Sequence, residues 1–170
     1  IAVSFENLGK YVNSDAPDFL PLCLPDESVV TFSTKRNGVN GNLYDFSGYR
    51  TADIFTTKHK RNKYSRARSV GSPNTYGNEY TAGRSENGNY FLYNVNSEQY
   101  YNDLFVSEKG KRSFMPPKVF DSKVVNAKSA ETGATLTNDG QLMYFSSDRE
   151  GGMGGFDLYM VRRLANGKWG

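Results

Sequence analysis

The chain has 170 residues, 37% apolar, 23% charged and 14% aromatic, with 12 Tyr and 11 Phe, a composition that suits strands and excludes long disorder and coiled coil. No apolar run approaches the roughly 18–20 residues that cross a bilayer as a helix, so no direct membrane insertion is expected. The net charge of +3 comes from one segment, residues 58 to 68, where Lys58, Lys60, Arg61, Lys63, Arg66 and Arg68 stand without an acid; the other 15 bases face 18 acids. That segment reads as a solvated, exposed loop. A nucleic-acid partner, which would need bases spread over a groove-sized surface, is not predicted.

Taken in chain order, the elements recur. Residues 1 to 12 read as the last strand of an earlier unit. Asn13-Ser14, Asn74-Thr75 and Asn126-Ala127 each lead, five residues on, to an acid: Asp18, Glu79 and Glu131. Thirteen residues past the same asparagines come Asp26, Asn87 and Asp139, and nineteen past them the aromatics Phe32, Tyr93 and Phe145. A second block opens at Asp53-Ile54-Phe55, Asp103-Leu104-Phe105 and Asp157-Leu158-Tyr159, and closes on Tyr64, Phe114 and Trp169. Three copies follow: 13–73, 74–125 and 126–170.

Each copy predicts four short strands. In the third, residues 130 to 136 form the first, Asn138-Asp139-Gly140 turns, and Leu142 to Phe145 form a second strand covered on both faces. Asp148 to Gly155, with four glycines, is a loop; a strand-like Phe156 to Val161 follows it, where a phosphate cradle would need a helix. Four antiparallel strands repeated every 50 to 60 residues describe β-propeller blades. The predicted fold is therefore all-β, with about three four-stranded antiparallel blades of a partial propeller in a single domain. Closed propellers have about four to eight blades, so the chain reads as part of a larger array with apolar faces to cover.

One cysteine and one histidine remove most catalytic and metal chemistry. Cys23 and His59 cannot assemble a Cys/His zinc site or an intrachain disulfide, and no Gly-x-Ser-x-Gly elbow occurs. Cys23 reads as a small buried apolar residue, and His59 as an exposed loop side chain. Asp148, Glu150 and Asp157 are too few and dispersed for calcium. No enzyme, cofactor or metal site is predicted. Asp53, Asp103 and Asp157 instead need partners inside the blade, from backbone N–H groups of the preceding hairpin or from groups such as Ser146 or Arg149. Tyr64, Phe114 and Trp169 read as packing between blades. Part of the cluster Tyr90, Phe91, Tyr93, Tyr100 and Tyr101, with the insert Asn40 to Tyr49, reads as an exposed contact surface. The candidate partner-contact residues are Lys58, Lys60, Arg61, Lys63, Tyr44, Tyr49, Tyr100 and Tyr101.

The stretch Thr137-Asn138-Asp139-Gly140-Gln141-Leu142-Met143-Tyr144-Phe145-Ser146-Ser147-Asp148-Arg149, with Gly151 to Tyr159 after it, resembles the WD40-like PD40 repeat of TolB-type propellers. It is most similar to the version in OmpA-like, peptidoglycan-associated envelope proteins of Bacteroidetes-type bacteria, including the type IX secretion kind. The second copy departs from the pattern, with Arg84-Ser85-Glu86-Asn87-Gly88 at the turn and Asn94-Val95 where the third has Ser146-Ser147. The resemblance implies a noncatalytic scaffold in the periplasm or outer-membrane-associated envelope. It would contact other envelope proteins and reach peptidoglycan only through a domain absent from this chain. Two alternatives remain: a substrate-gating propeller of a periplasmic peptidase, and a glycan-binding propeller.

Overall fold

A computed structural model describes residues 4–37, 43–97, 99–111, 113–120 and 123–170. The described residues are all-β, without helix, in three antiparallel sheets. The first has β1 (Asp18–Cys23), β2 (Val29–Thr34), β3 (Asp53–Lys60) and β4 (Lys63–Tyr64) in that order, with β5 (Arg68–Ser69) also on β3. The second runs β6 (Asn78–Arg84), β7 (Tyr90–Asn96), β8 (Tyr101–Glu108), β9 (Lys118–Val119). The third has β10 (Glu131–Leu136), β11 (Leu142–Ser147) and β12 (Asp157–Arg162). The sheets thus hold five, four and three strands rather than four each. In the third a single bridge, Arg163 to Trp169, stands where a fourth strand was expected.

The sequence repeat is a repeat of register. Phe32 pairs Phe55, Tyr93 pairs Phe105 and Phe145 pairs Tyr159 across the second and third strands of each sheet. Tyr64, Phe114 and Trp169 each face the residue six past the aspartate: His59, Lys109 and Arg163. Each first strand slips register near its middle, between Phe19 and Leu22, Thr81 and Gly83, and Glu131 and Ala134. Asp26, Asn87 and Asp139 occupy the same turn, each accepting the N–H two residues on at 3.0 Å. The next residue is left-handed in every copy, at φ 68° for Gly88 and Gly140 and 56° for Glu27.

The three first strands lie side by side, with β6 between β1 and β10. Packing follows that order. Phe32, Phe55 and Ala67 are covered by Leu8 and Val12. Ile54, Leu22 and Val70 meet Phe91, Tyr93, Val95 and Phe105 of the second sheet. Leu92, Leu104 and Phe120 meet Ala134, Met143, Phe145 and Val161 of the third. Each sheet thus presents one apolar face backward and one forward, as alternation in a strand allows.

Several expectations change. Residues 4–12 form no strand; a turn closes where Val12 and Asn13 donate to the Gly9 carbonyl, and Leu8 and Val12 cap the first sheet. The basic segment is no loop, because Lys58 to Lys60 end β3, Lys63 opens β4 and only Arg61 and Asn62 turn between them, both left-handed. Thr57 and Ala67 are buried beneath it. His59 is part-buried, its ring stacked 4.5 Å from that of Tyr64. Cys23 is exposed at the end of β1, because alternation gives the inward place to its neighbour Leu22. In β11 Met143 and Phe145 are buried but Tyr144 is half exposed, because only one face of the third sheet is covered.

Candidate functional site

Polar groups buried between sheets show what the recurring residues do. Asn74 clamps the backbone of Ile54, accepting its N–H at 2.8 Å and donating to its carbonyl at 2.9 Å. Asn126 does the same to Leu104 at 2.8 and 2.9 Å. These are the first residues of the second and third copies, gripping the third strand of the sheet before. Further contacts cross the same boundaries: Ser33 accepts the Thr81 N–H at 2.9 Å, and Asn94 donates to the Glu131 carbonyl at 2.6 Å.

The acid five residues past each asparagine sits in a cage. Asp18 accepts from Ser14, Thr34 and Arg36, the last at 2.7 Å. Arg36 also donates to the Val12 carbonyl at 2.7 Å and lies over Phe32 and Phe55, 5.3 and 4.9 Å from their centroids. Burial would raise the Asp18 carboxyl, but hydrogen bonds from Thr34, Arg36 and Ser14 outweigh it and hold it below its ordinary value. The third copy repeats the arrangement: Glu131 accepts from Ser129 and Ser147, and Arg149 stands 3.4 Å away. Arg149 donates to the Val125 carbonyl at 2.7 Å and lies 4.8 and 4.9 Å from the Phe145 and Tyr159 centroids. Here burial prevails and the Glu131 carboxyl is raised, with Ser129, Ser147 and Arg149 offsetting part of the effect.

The second copy breaks the pattern. Glu79 is fully buried, takes a hydrogen bond on Oε1 from the Thr75 hydroxyl, and has the Asp53 carboxyl beside it. Its Oε2 meets no hydrogen-bond donor. Val95 and Ser97 hold the positions of Thr34 and Arg36. Burial pushes the Glu79 carboxyl up from 4.5 to about 7, and Asp53 adds to the shift. On the same side opens a cleft of about 650 Å³ lined by Pro73, Thr75, Tyr93, Val95, Ser97 and Phe105, among others.

The residues expected to contact partners fall into two groups at opposite ends of β3. Tyr44 and Tyr49 sit on a short hairpin before it, where the Asp45 N–H donates to the Tyr49 carbonyl at 2.8 Å and Arg50 lies 5.1 Å from the Tyr44 centroid. Hydrogen bonds from Lys35 and Ser47 hold the Asp45 carboxyl down to about 2. Both tyrosines are exposed, as is Tyr101. Residues 40–42 of the insert lie outside the described residues. Tyr100 is part-buried, its ring edge-on to Phe105 at 5.0 Å and on the wall of the cleft. Phe91 and Tyr93 belong to the core, not to a contact surface, because even-odd alternation along β7 turns them into the seam with the first sheet. Lys58, Lys60, Arg61 and Lys63 ring the far hairpin and are exposed.

Of the strand-opening acids, Asp157 accepts the N–H groups of Met153 and Gly154, at 2.7 and 3.1 Å, from the loop before it. Arg149 serves Glu131 instead of an aspartate, and Asp103 is raised by burial. Among the described residues no group of three or more His, Cys, Asp or Glu side chains is placed to hold a metal ion. No helix among them is long and apolar enough to cross a membrane. No family model matches the chain, and no curated protein matches it. The protein is thus defined by its architecture: an all-β chain of three register-matched antiparallel sheets.

Proposed function

We propose that the three sheets are blades of a β-propeller and that the chain is a noncatalytic interaction scaffold of a bacterial cell-envelope protein. It works in the periplasm in a peptidoglycan-associated assembly of the type IX secretion kind, with peptidoglycan held by a domain outside this chain. The observation that carries the reading is the placement of β6 between β1 and β10 in a threefold register repeat, the relation expected of innermost strands round an axis. Two features support the scaffold role. The recurring asparagines Asn74 and Asn126 are occupied in joining one sheet to the next. The connections between second and third strands differ from copy to copy; the first carries the exposed aromatics Tyr44 and Tyr49, and the second leads into the exposed Tyr101 that opens β8. Differing loops on a repeated frame are how such proteins acquire partners.

The test is site-specific photo-crosslinking in the native cell, with probes at Tyr44, Tyr101 and Lys58 and fractionation of the products. Recovery in the envelope with discrete cross-links to envelope proteins is the expected result. Recovery in the cytosol, or an absence of cross-links from all three positions, overturns the reading.

A further inference from the structure

The internal repeat supplies its own template for a binding site. In the first and third copies an arginine fills a cage made of an aromatic pair, a backbone carbonyl and a carboxylate, part-buried at Asp18 and fully buried at Glu131. Aligned in the same register, the second copy keeps the cage and lacks the arginine. Tyr93 and Phe105 are the aromatic pair, stacked 5.8 Å apart. Pro73 stands where the carbonyls of Val12 and Val125 accept from Arg36 and Arg149. Ser97 stands at the arginine position itself. Pro73, Tyr93, Ser97 and Phe105 all line the cleft of about 650 Å³, and so does Thr75, whose hydroxyl holds Glu79.

We propose that this cleft is a guanidinium seat, which takes an arginine side chain from a partner protein in the place that Arg36 and Arg149 fill from within the chain. The Glu79 carboxyl behind it accepts from the Thr75 hydroxyl and, with Ser97 at the arginine position, has no guanidinium like those facing Asp18 and Glu131. Arginine suits the seat better than lysine, because a planar guanidinium stacks on rings while its N–H fork reaches carbonyl and carboxylate together. The volume admits a whole side chain with its flanking backbone. Only the supply of that arginine by a protein rests on the scaffold reading; the seat itself rests on the three copies.

The test is titration of the purified chain, followed by NMR, with N-acetyl-arginine amide and its neutral isostere N-acetyl-citrulline amide. The arginine probe should bind roughly tenfold more tightly, with shifts at Tyr93, Ser97 and Phe105. Glu79→Gln and Ser97→Arg should each abolish the preference, and Ser97→Arg should also raise the thermal midpoint as an internal arginine fills the seat. Equal binding of the two probes, or binding of neither, overturns the proposal. So does discrimination that appears only in Tyr100→Ala, which would show that the Tyr100 ring has replaced the arginine. A preserved arginine preference with no envelope cross-links would leave the seat standing and remove the envelope scaffold reading.

Discussion

Glu79 and Glu131 are both shut off from water, yet only Glu131 has a guanidinium within reach. With its carboxyl raised from 4.5 to about 7, folded Glu79 holds its proton more tightly than the unfolded chain does. Its contribution to stability is therefore complete below about pH 4.5 and is lost as pH rises through about 7, by about 3 kcal/mol in all. Asp18, held below its ordinary value, contributes with the opposite sign: its share is present above the unfolded value and is lost on acidification. Glu79→Gln should remove the fall between about pH 5 and pH 8, read as denaturant midpoints across that range; a slope parallel to the parent's would contradict this account. A second residue is strained by its backbone. Glu27 holds φ 56° at the turn position where the other copies have Gly88 and Gly140. Glu27→Gly should gain about 0.5–1 kcal/mol, because relief of left-handed strain exceeds the added freedom of the unfolded chain. Equilibrium unfolding would show it, and a loss would mean that Glu27 earns its place through its side chain.

The first strands meet so closely that one position has no room for a side chain. A Cβ built on Gly83 of β6 would fall 1.5 Å from the Ala134 carbonyl oxygen of β10, backbone that cannot swing aside. Gly83→Ala should cost about 1–3 kcal/mol by forcing the two strands apart. A variant with an unchanged unfolding midpoint would show that the strands do not approach as described. The repeat itself was legible in the sequence because asparagine, turn residue and aromatic each perform a local task that tolerates few substitutes. The clamps of Asn74 and Asn126, the turns at Asp26, Asn87 and Asp139, and the pairing of Phe145 with Tyr159 are the physical content of that spacing. The basic segment was misread because its charge was counted without its alternation: Thr57 and His59 face inward while Lys58 and Lys60 face water, a strand pattern. The vacant cage was also visible in principle. Arg36 and Arg149 lie four residues past Phe32 and Phe145, and Ser97 lies four past Tyr93. The missing step was to see that the side chain at that position returns across the sheet to the acid.

At the scale of the molecule, the forward face of the second sheet and that of the third carry matched residues in different surroundings. Leu92 and Leu104 are fully buried beneath the third sheet, whereas their counterparts Tyr144 and Leu158 are 50% and 85% exposed, with Met160 at 45%. A contiguous apolar sheet face in water favours association. Sedimentation of residues 1–170 should show concentration-dependent assembly, and the pair Tyr144→Lys and Leu158→Lys should return it to monomer; a parent chain monomeric at all concentrations would contradict this. The asparagine clamps bear on how such an array diversifies. Each clamp asks nothing of the side chain it grips: Asn74 and Asn126 hold the N–H and C=O of Ile54 and Leu104, groups that nearly every amino acid offers. A change of side chain in the receiving strand leaves the clamp itself intact. Inheritance of the joint is thus uncoupled from inheritance of what the joint encloses, which is how the second copy can exchange an arginine for a serine and stay in register.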